Sequence, residues 1–422
     1  MTGRWRLGPA AIVAGLVLTL TGCPAGEIAD PEPTAAPSGE QPLPGRPTNA
    51  STDLPAYAGP PADAPPSAGP LTRLRAAVDL TPATPGVFAR AVGAVAAPEG
   101  GAYVLLSPAD RDLPQSLVTV RADFALAGSV PLPRVADVWG VHALPDGTVA
   151  VTGRLPDGYG LEVVDPATGT VRTTVLAPAS RRTDSESGRS AVLPGDSTLY
   201  LFLTAESGDG IREELFAVDA TTGQVLADRD LADDVAAASQ YPVGRQLAGL
   251  VARPDGGATL VFDASPTEVA EQRIPTLLTY DARLQPVGGP VRATELAEGA
   301  ETQSVSGAAD GTVFLMVAVD DGAWILGVPD GGGAGPLLAQ LADRIYSYAL
   351  VVEPAQVWAV IPAPAGAAAV DLTTGELRGP VVLDCAPKLD VRDVYPAPGG
   401  ALMIGECDTP REDTQLVWFL GP

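Results

Sequence analysis

The feature that most constrains this chain is a unit that recurs along residues 71–422: a short apolar run, a glycine turn, a second apolar run, a loop, a third run, a tight turn and a fourth run. The turns between first and second runs read Glu99-Gly100, Asp146-Gly147, Asp255-Gly256, Asp310-Gly311 and Gly399-Gly400. Such pairs reverse an antiparallel hairpin because glycine takes a positive φ without steric cost. The runs are rich in Val, Leu, Thr and aromatics, five to ten residues separate the turns, and helical periodicity is almost absent. Third runs start at Ser116 (SLVTV), Leu161 (LEVVD), Leu215 (LFAVD), Leu277 (LLTYD), Trp324 (WILGV), Ala367 (AAAVD) and Leu416 (LVWFL). Their spacing is about 50 residues per unit.

A four-stranded antiparallel sheet repeating at roughly 40 to 50 residues is the blade of a β-propeller. The expected fold is therefore all-β, a single propeller over 71–422. Seven third runs predict seven blades; six or eight stay open, because insertions are expected around 206–212 and 266–273. The last unit supplies three strands, at 388–395, 401–406 and 415–420, and residues 71–80 (LTRLRAAVDL) precede the first strand of the first unit. The segment around 74–80 is predicted to pair with the strand containing Trp418. That closure buries two sheet edges that would otherwise template association.

The turn after the third run reads Asp165-Pro166-Ala167-Thr168-Gly169, Asp219-Ala220-Thr221-Thr222-Gly223 and Asp371-Leu372-Thr373-Thr374-Gly375. It resembles the Asp-x-x-Thr-Gly turn of quinoprotein-like propeller repeats. In physical terms the Asp and Thr oxygens satisfy turn amides and Gly supplies the positive φ of the reversal. The resemblance implies a fold and no activity. Quinone enzymes of that superfamily use adjacent cysteines and stacked tryptophans, and here no cysteines are adjacent, while Val225-Leu226 and Leu377-Arg378 stand where a blade-docking tryptophan would fall. No cofactor is expected.

At the amino terminus Arg4 and Arg6 precede an apolar run over 10–21, about a dozen residues where a spanning helix needs roughly 20. Leu20-Thr21-Gly22-Cys23 closes the run and resembles the lipobox of bacterial prolipoproteins. The resemblance implies cleavage after residue 22, a diacylglycerol on Cys23 and residence on the extracytoplasmic face of the cell membrane. An ordinary secretory signal is the alternative. Two or three acyl chains at about 0.8 kcal/mol per buried methylene make a persistent anchor. Residues 23–70 are crowded with Pro, Ala, Gly and acids and hold too few large apolar side chains to offset the entropy of ordering them. They are expected to be a disordered tether reaching on the order of 40 Å as a coil. The triplet Asn49-Ala50-Ser51 in it fits a glycosylation sequon and is read as chance.

Lys388 is the only lysine and Asn49 the only asparagine, a bias that resembles high-GC actinobacterial sequences. Without residues 1–22 the chain carries 24 basic and 51 acidic side chains, a charge of −27. Nucleic acid and anionic headgroups are poor partners for such a surface, so membrane contact is expected through the lipid alone. The densest acidic run, Asp228, Asp230, Asp233 and Asp234, lacks the glycine and spacing of a calcium loop and reads as solvated surface.

His142, the only histidine, lies in VWGVHALPDG, and no Gly-x-Ser-x-Gly elbow accompanies it, so it reads as a strand residue. The run at 331–335 has no following helix or nearby Lys and reads as a hairpin loop rather than a phosphate loop. Asp320-Asp321, Asp390 with Asp393, and Glu412-Asp413 are placed at strand ends or turns, and acid–base work would need two to converge. Cys385 and Cys407, both in the last unit, are expected to form a disulfide in an oxidising compartment, the alternative being two buried thiols. The expectation is a monomeric, non-catalytic platform for a protein or cell-wall glycan. The alternative is a hydrolase or lactonase using a carboxylate-held metal at the channel mouth; convergent acids there would favour it, an apolar or arginine-lined channel would not.

Overall fold

The computed structural model describes residues 73–421 apart from 85–87, 111, 179–184, 208–209, 239–245, 265–273, 294–300, 320–321, 331–336, 342–348, 353–356, 364–365, 372–376, 384, 386–387 and 409–412. The leader, Cys23, the tether with Asn49, the 331–335 loop, Asp320-Asp321, Glu412, the expected insertion at 266–273 and the 372–375 part of the third Thr-Gly turn lie outside the described residues.

The described strands form seven four-stranded antiparallel sheets. After β1 (Arg73–Asp79) and a 3-10 turn (Thr81–Ala83), the first sheet is β2–β5 (Ala89–Ala96, Ala102–Pro108, Gln115–Val120, Leu126–Leu132). The second is β6–β9 (Val138–Ala143, Val149–Leu155, Gly158–Asp165, Thr170–Pro178) and the third β10–β13 (Ser185–Val192, Thr198–Ser207, Gly210–Asp219, Gln224–Asp230). A two-turn helix, α1 (Ala232–Ala238), precedes the fourth, β14–β17 (Gln246–Ala252, Ala258–Ala264, Ile274–Tyr280, Val291–Arg292). The fifth is β18–β21 (Glu301–Gly307, Val313–Val319, Gly322–Val328, Leu337–Leu341) and the sixth β22–β25 (Ala349–Val352, Val357–Ala363, Gly366–Asp371, Leu377–Val382). The seventh joins β26–β28 (Lys388–Ala397, Gly400–Asp408, Asp413–Gly421) to β1.

The first strand of each sheet touches the first strand of the next, from β2 through β6, β10, β14, β18, β22 and β26 and back to β2. These seven inner strands therefore ring a central channel, and the fold is an all-β propeller. Its apolar core is divided into layers between neighbouring sheets. Phe202 and Leu215 of the third sheet, with Leu231 just after its last strand, pack with Leu260, Phe262 and Tyr280 of the fourth, and Val261 and Leu277 of the fourth pack with Leu315 and Trp324 of the fifth.

Ring closure follows the expected register. β1 lies antiparallel to β28, with Ala77 opposite Trp418 and Val78 opposite Val417, and the Leu80 amide continues the ladder to the Gln415 carbonyl at 2.9 Å. Val78 and Leu80 are buried with Ala91, Val104, Ile404 and Phe419, so the closing strand welds the seventh sheet to the first. Burying such side chains contributes roughly 1.5–3 kcal/mol each.

The turn chemistry is as read from the residues. Gly169 and Gly223 sit at φ +73° and +79°. The Asp165 carboxylate accepts from the Ala167 amide and the Thr168 hydroxyl, and Asp219 accepts from the Thr221 amide and the Thr221 and Thr222 hydroxyls. The extra residues expected around 206–212 lengthen a hairpin, with β11 and β12 paired out to Ser207 opposite Gly210. Two expectations are corrected. The acidic run is not simply solvated surface. Asp233 and Asp234 fall in α1, and Asp234 pairs with Arg229 at 2.7 Å and accepts from the Tyr280 hydroxyl at 3.2 Å. Asp390 and Asp393 are also not at a strand end, since both lie inside the ten-residue β26.

Candidate functional site: the inner ring of the channel

The inner strands can be aligned by their pairing with the second strands. Taking the residue that resumes the ladder after the register shift in the first, second, fourth, fifth and seventh sheets, and the one three pairs back from the hairpin end in the third and sixth, the equivalent residues are Gly93, Gly140, Arg189, Gly249, Ser304, Ala349 and Asp393, opposite Leu105, Thr152, Phe202, Val261, Met316, Val360 and Ile404. One ring layer thus holds five residues of minimal size, one arginine and one aspartate.

The small residues have a packing reason. A Cβ on Gly93 would meet Val141 at 3.0 Å, one on Gly140 would meet the Ser190 hydroxyl at 2.2 Å, and one on Gly249 would meet Val305 at 2.6 Å. At each of these positions the next inner strand lays a side chain over the backbone, which excludes anything beyond glycine without displacement.

Arg189, on the third sheet, is exposed to solvent even though surrounding protein disfavours its charged form and lowers its pKa. The charge of Asp393 acts in the opposite direction and supports it. These residues belong to the third and seventh sheets, which are not neighbours in the ring, so their interaction crosses the channel. Nη1 of Arg189 donates to the Gly188 carbonyl at 3.0 Å. Asp393 accepts from the Val394 amide and the Tyr395 hydroxyl, both at 2.9 Å. Burial, followed by the nearby Asp393 charge, pushes the Tyr395 phenol well above its usual range, which keeps it a proton donor.

Beside this layer, Arg392 donates to the buried Glu406, which also lies 3.6 Å from Arg90 and accepts from Gln415 at 2.8 Å. Gln415 in turn accepts the Ala91 amide at 3.1 Å, tying the seventh sheet to the first. Asp263 does similar work between the fourth and fifth sheets, accepting the Thr302 amide at 2.7 Å and the Thr302 hydroxyl at 2.5 Å. These buried carboxylates are hydrogen-bonded joints between sheets.

His142 lies in β6 and faces the third sheet. Its Nε2 is 2.7 Å from the Ser190 hydroxyl, which is 2.7 Å from the Thr152 hydroxyl. Burial lowers the imidazole pKa to about 4, so the ring is neutral at physiological pH. A serine against a neutral imidazole is the contact of a nucleophile with its base. A base with so low a pKa is a poor proton acceptor near neutrality, however, since efficient general bases titrate near the working pH.

Among the described residues, no three His, Cys, Asp or Glu side chains gather closely enough to hold a metal ion. Cys385 and Cys407 are bonded, with Cα atoms 5.6 Å apart, and fasten the segment before β26 to the end of β27. Val225 and Leu226 are exposed on β13 and make no sheet-docking contact of the quinoprotein kind. Reading the sequence missed Arg189, Ser190 and Thr152. The signal that could have found Arg189 was a charge at a position where five of the other six repeats place Gly, Ala or Ser.

No family model and no curated protein matches the sequence. Solved structures do resemble it. They include puromycin hydrolase at 18% identity and TM-score 0.54, covering 83% of this chain and 55% of that one. Oligogalacturonate lyase in complex with manganese matches at 12% identity and TM-score 0.52, covering 83% and 99%. The β-propeller domain of Swd1 from Myceliophteria thermophila matches at 13% identity and TM-score 0.50, covering 78% and 96%. The chain spans only about half the length of puromycin hydrolase. At these identities the likeness establishes the propeller fold and no activity.

Proposed function

We propose that this chain is an exported lipoprotein, held at the extracytoplasmic face of the cell membrane through Cys23, whose monomeric propeller is a non-catalytic binding platform for a protein or glycan of the cell envelope. The anchor rests on the lipobox-like Leu20-Thr21-Gly22-Cys23 and the short apolar run before it. The observation that supports the non-catalytic part is the inner ring, where the cation of Arg189 stands within electrostatic reach of the carboxylate of Asp393. A cation in that place repels the metal ion that a carboxylate-dependent hydrolase or lactonase would bind there. The neutral His142 behind the ring supports the same reading.

Three measurements test the proposal. Mass spectrometry of the processed chain is expected to find an acylated cysteine at its amino terminus, and an unmodified terminus overturns the anchor. Crosslinking in intact cells followed by identification of the adduct is expected to give a defined envelope partner, and recovery of no adduct overturns the platform. Added calcium or manganese is expected to leave the thermal midpoint unchanged. A rise that saturates with metal and disappears in Asp393→Asn would favour the hydrolase.

A further inference from the structure

A binding platform needs a place of contact, and the surface narrows where it lies. Among the described residues eight large apolar side chains are exposed; three of them, Phe88, Val92 and Leu113, belong to the first sheet and its loops, while no other sheet holds more than two. Exposed apolar groups gathered in one region mark contact surfaces, whereas scattered ones need no explanation. Leu113, 41% exposed, also lines a cavity of about 230 Å³. The cavity lies where the 3-10 turn at Thr81–Ala83, which rests on β5 and β28, meets the loop between β3 and β4. Six of its eight described lining residues are apolar: Ala83, Ala89, Leu106, Pro108, Leu113 and Pro114. Ala89 and Leu106 also belong to the core layer of Val78 and Leu80, so a group seated in the cavity touches the core of the closing seam. An apolar cavity of about 150 Å³ takes benzene, so this one has space for a side chain of leucine or phenylalanine size.

Charge specifies what should accompany that side chain. The two segments that frame the cavity, 79–84 and 108–116, carry Asp79, Asp110 and Asp112 against one cation, Arg111, which lies outside the described residues; the net charge is −2. All three aspartates are exposed. Asp79 accepts the Thr81 amide at 2.8 Å and Asp110 the Asp112 amide at 3.0 Å, which fixes both carboxylates on the framing segments. A segment that offers an apolar side chain between cations complements both the lining and the acids, while an acidic segment is repelled by them and by the net charge of −25. A glycan would set hydroxyls against an apolar lining, and a polar group buried without a partner is costly. We propose that this cavity docks a protein partner, taking one leucine- or phenylalanine-sized side chain from a segment in which lysine or arginine flanks it. The inference rests on the binding-platform reading above and names its partner's class.

The test is fluorescence anisotropy of the full chain in mild detergent with dye-labelled, amide-capped pentapeptides GKLKG, GKGKG and GELEG. GKLKG is expected to bind saturably, and GKGKG, which lacks the apolar side chain, about tenfold more weakly. GELEG is expected to bind about tenfold more weakly too, and high salt should narrow that gap, because the aspartates stand in water. Ala83→Leu, which fills the cavity, is expected to remove the preference for GKLKG over GKGKG. Asp110→Asn combined with Asp112→Asn is expected to narrow the preference over GELEG about threefold, the scale of exposed charge pairs. Equal binding of GKLKG and GKGKG, equal binding of GKLKG and GELEG, no binding of GKLKG, or an unchanged preference in Ala83→Leu overturns the proposal. The peptide comparison needs no variant and stands even if a substitution impairs folding. A crosslinked envelope partner whose capture is undiminished in Ala83→Leu would sink this site and leave the platform reading intact, whereas failure of the platform itself would show as no adduct.

Discussion

Two aspartates of this chain show what repetition encodes and what it does not. Asp219 ends a third strand and spends its carboxylate on the Thr221 and Thr222 hydroxyls of its own turn, and Asp165 does nearly the same one sheet earlier. Asp393 occupies a position that recurs just as regularly, yet its counterparts are Gly93, Gly140, Gly249, Ser304, Ala349 and Arg189. In the turns, a repeated residue marks a local conformational need that every hairpin shares. In the ring, glycines answer to the side chain that the next strand lays over them, and the two charged residues are departures from that shared packing rule.

The comparison can be broken at several points. The largest effect is expected from the framework. Trp418 is fully buried in the closing sheet, and Trp418→Ala is expected to cost about 3–5 kcal/mol by chemical denaturation. A loss under about 1 kcal/mol would mean the closure contributes little.

His142 sharpens the contrast through pH. Its native pKa of about 4 lies below the unfolded value of 6.5, so the unfolded chain binds the extra proton between them. Stability should therefore fall as pH drops from 6.5 to 4, by on the order of 3 kcal/mol, and change no further from this group below 4. His142→Val, which installs the residue found at the matching position Val95, should flatten that part of the profile. Reduction of Cys385–Cys407 is expected to remove about 3 kcal/mol, as for a closed loop of 22 positions. A double Cys→Ser variant read by thermal unfolding checks it.

Asp219→Ala should cost about 1 kcal/mol, the scale of lost turn hydrogen bonds. Hydrogen bonds from the two threonines hold the Asp219 carboxyl below its ordinary value. Its contribution is thus present above about pH 4 and lost as pH falls through the depressed native pKa, and urea midpoints from pH 5 to 2 would show the gap to Asp219→Ala closing. The smallest effect is expected in the ring. Arg189→Gln should leave unfolding within about 0.5 kcal/mol of the parent. A larger loss would make Arg189 part of the framework and collapse the distinction.

The fold was legible because its signals are local and repeated: alternating apolar runs, Asp-Gly and Thr-Gly turns, and a last unit short of one strand. The partnership of residues 74–80 with Trp418 could be read because an unpaired edge at one end matched a missing strand at the other. The ring was not legible, since Arg189 and Asp393 meet only through a space enclosed by seven strands, and no spacing along the chain reports such a meeting. Ser190 and His142 escaped for a related reason, because they belong to neighbouring sheets and touch where those sheets are packed. The acidic run around Asp233 was misread because two helical turns are too short to show a period.

The weld between β1 and β28 also sets an order of events. The Ala91 amide and the Gln415 side chain, which join across the closing seam, lie 324 positions apart. Contacts between residues so distant in sequence form slowly. While the intervening sheets assemble in sequence, β1 must wait unpaired, and that wait lasts until residues 413–421 are in place. The waiting strand is short, seven residues, and carries Arg73, Arg75 and Asp79. Charges on so brief an edge discourage it from joining the wrong neighbour before its own partner arrives.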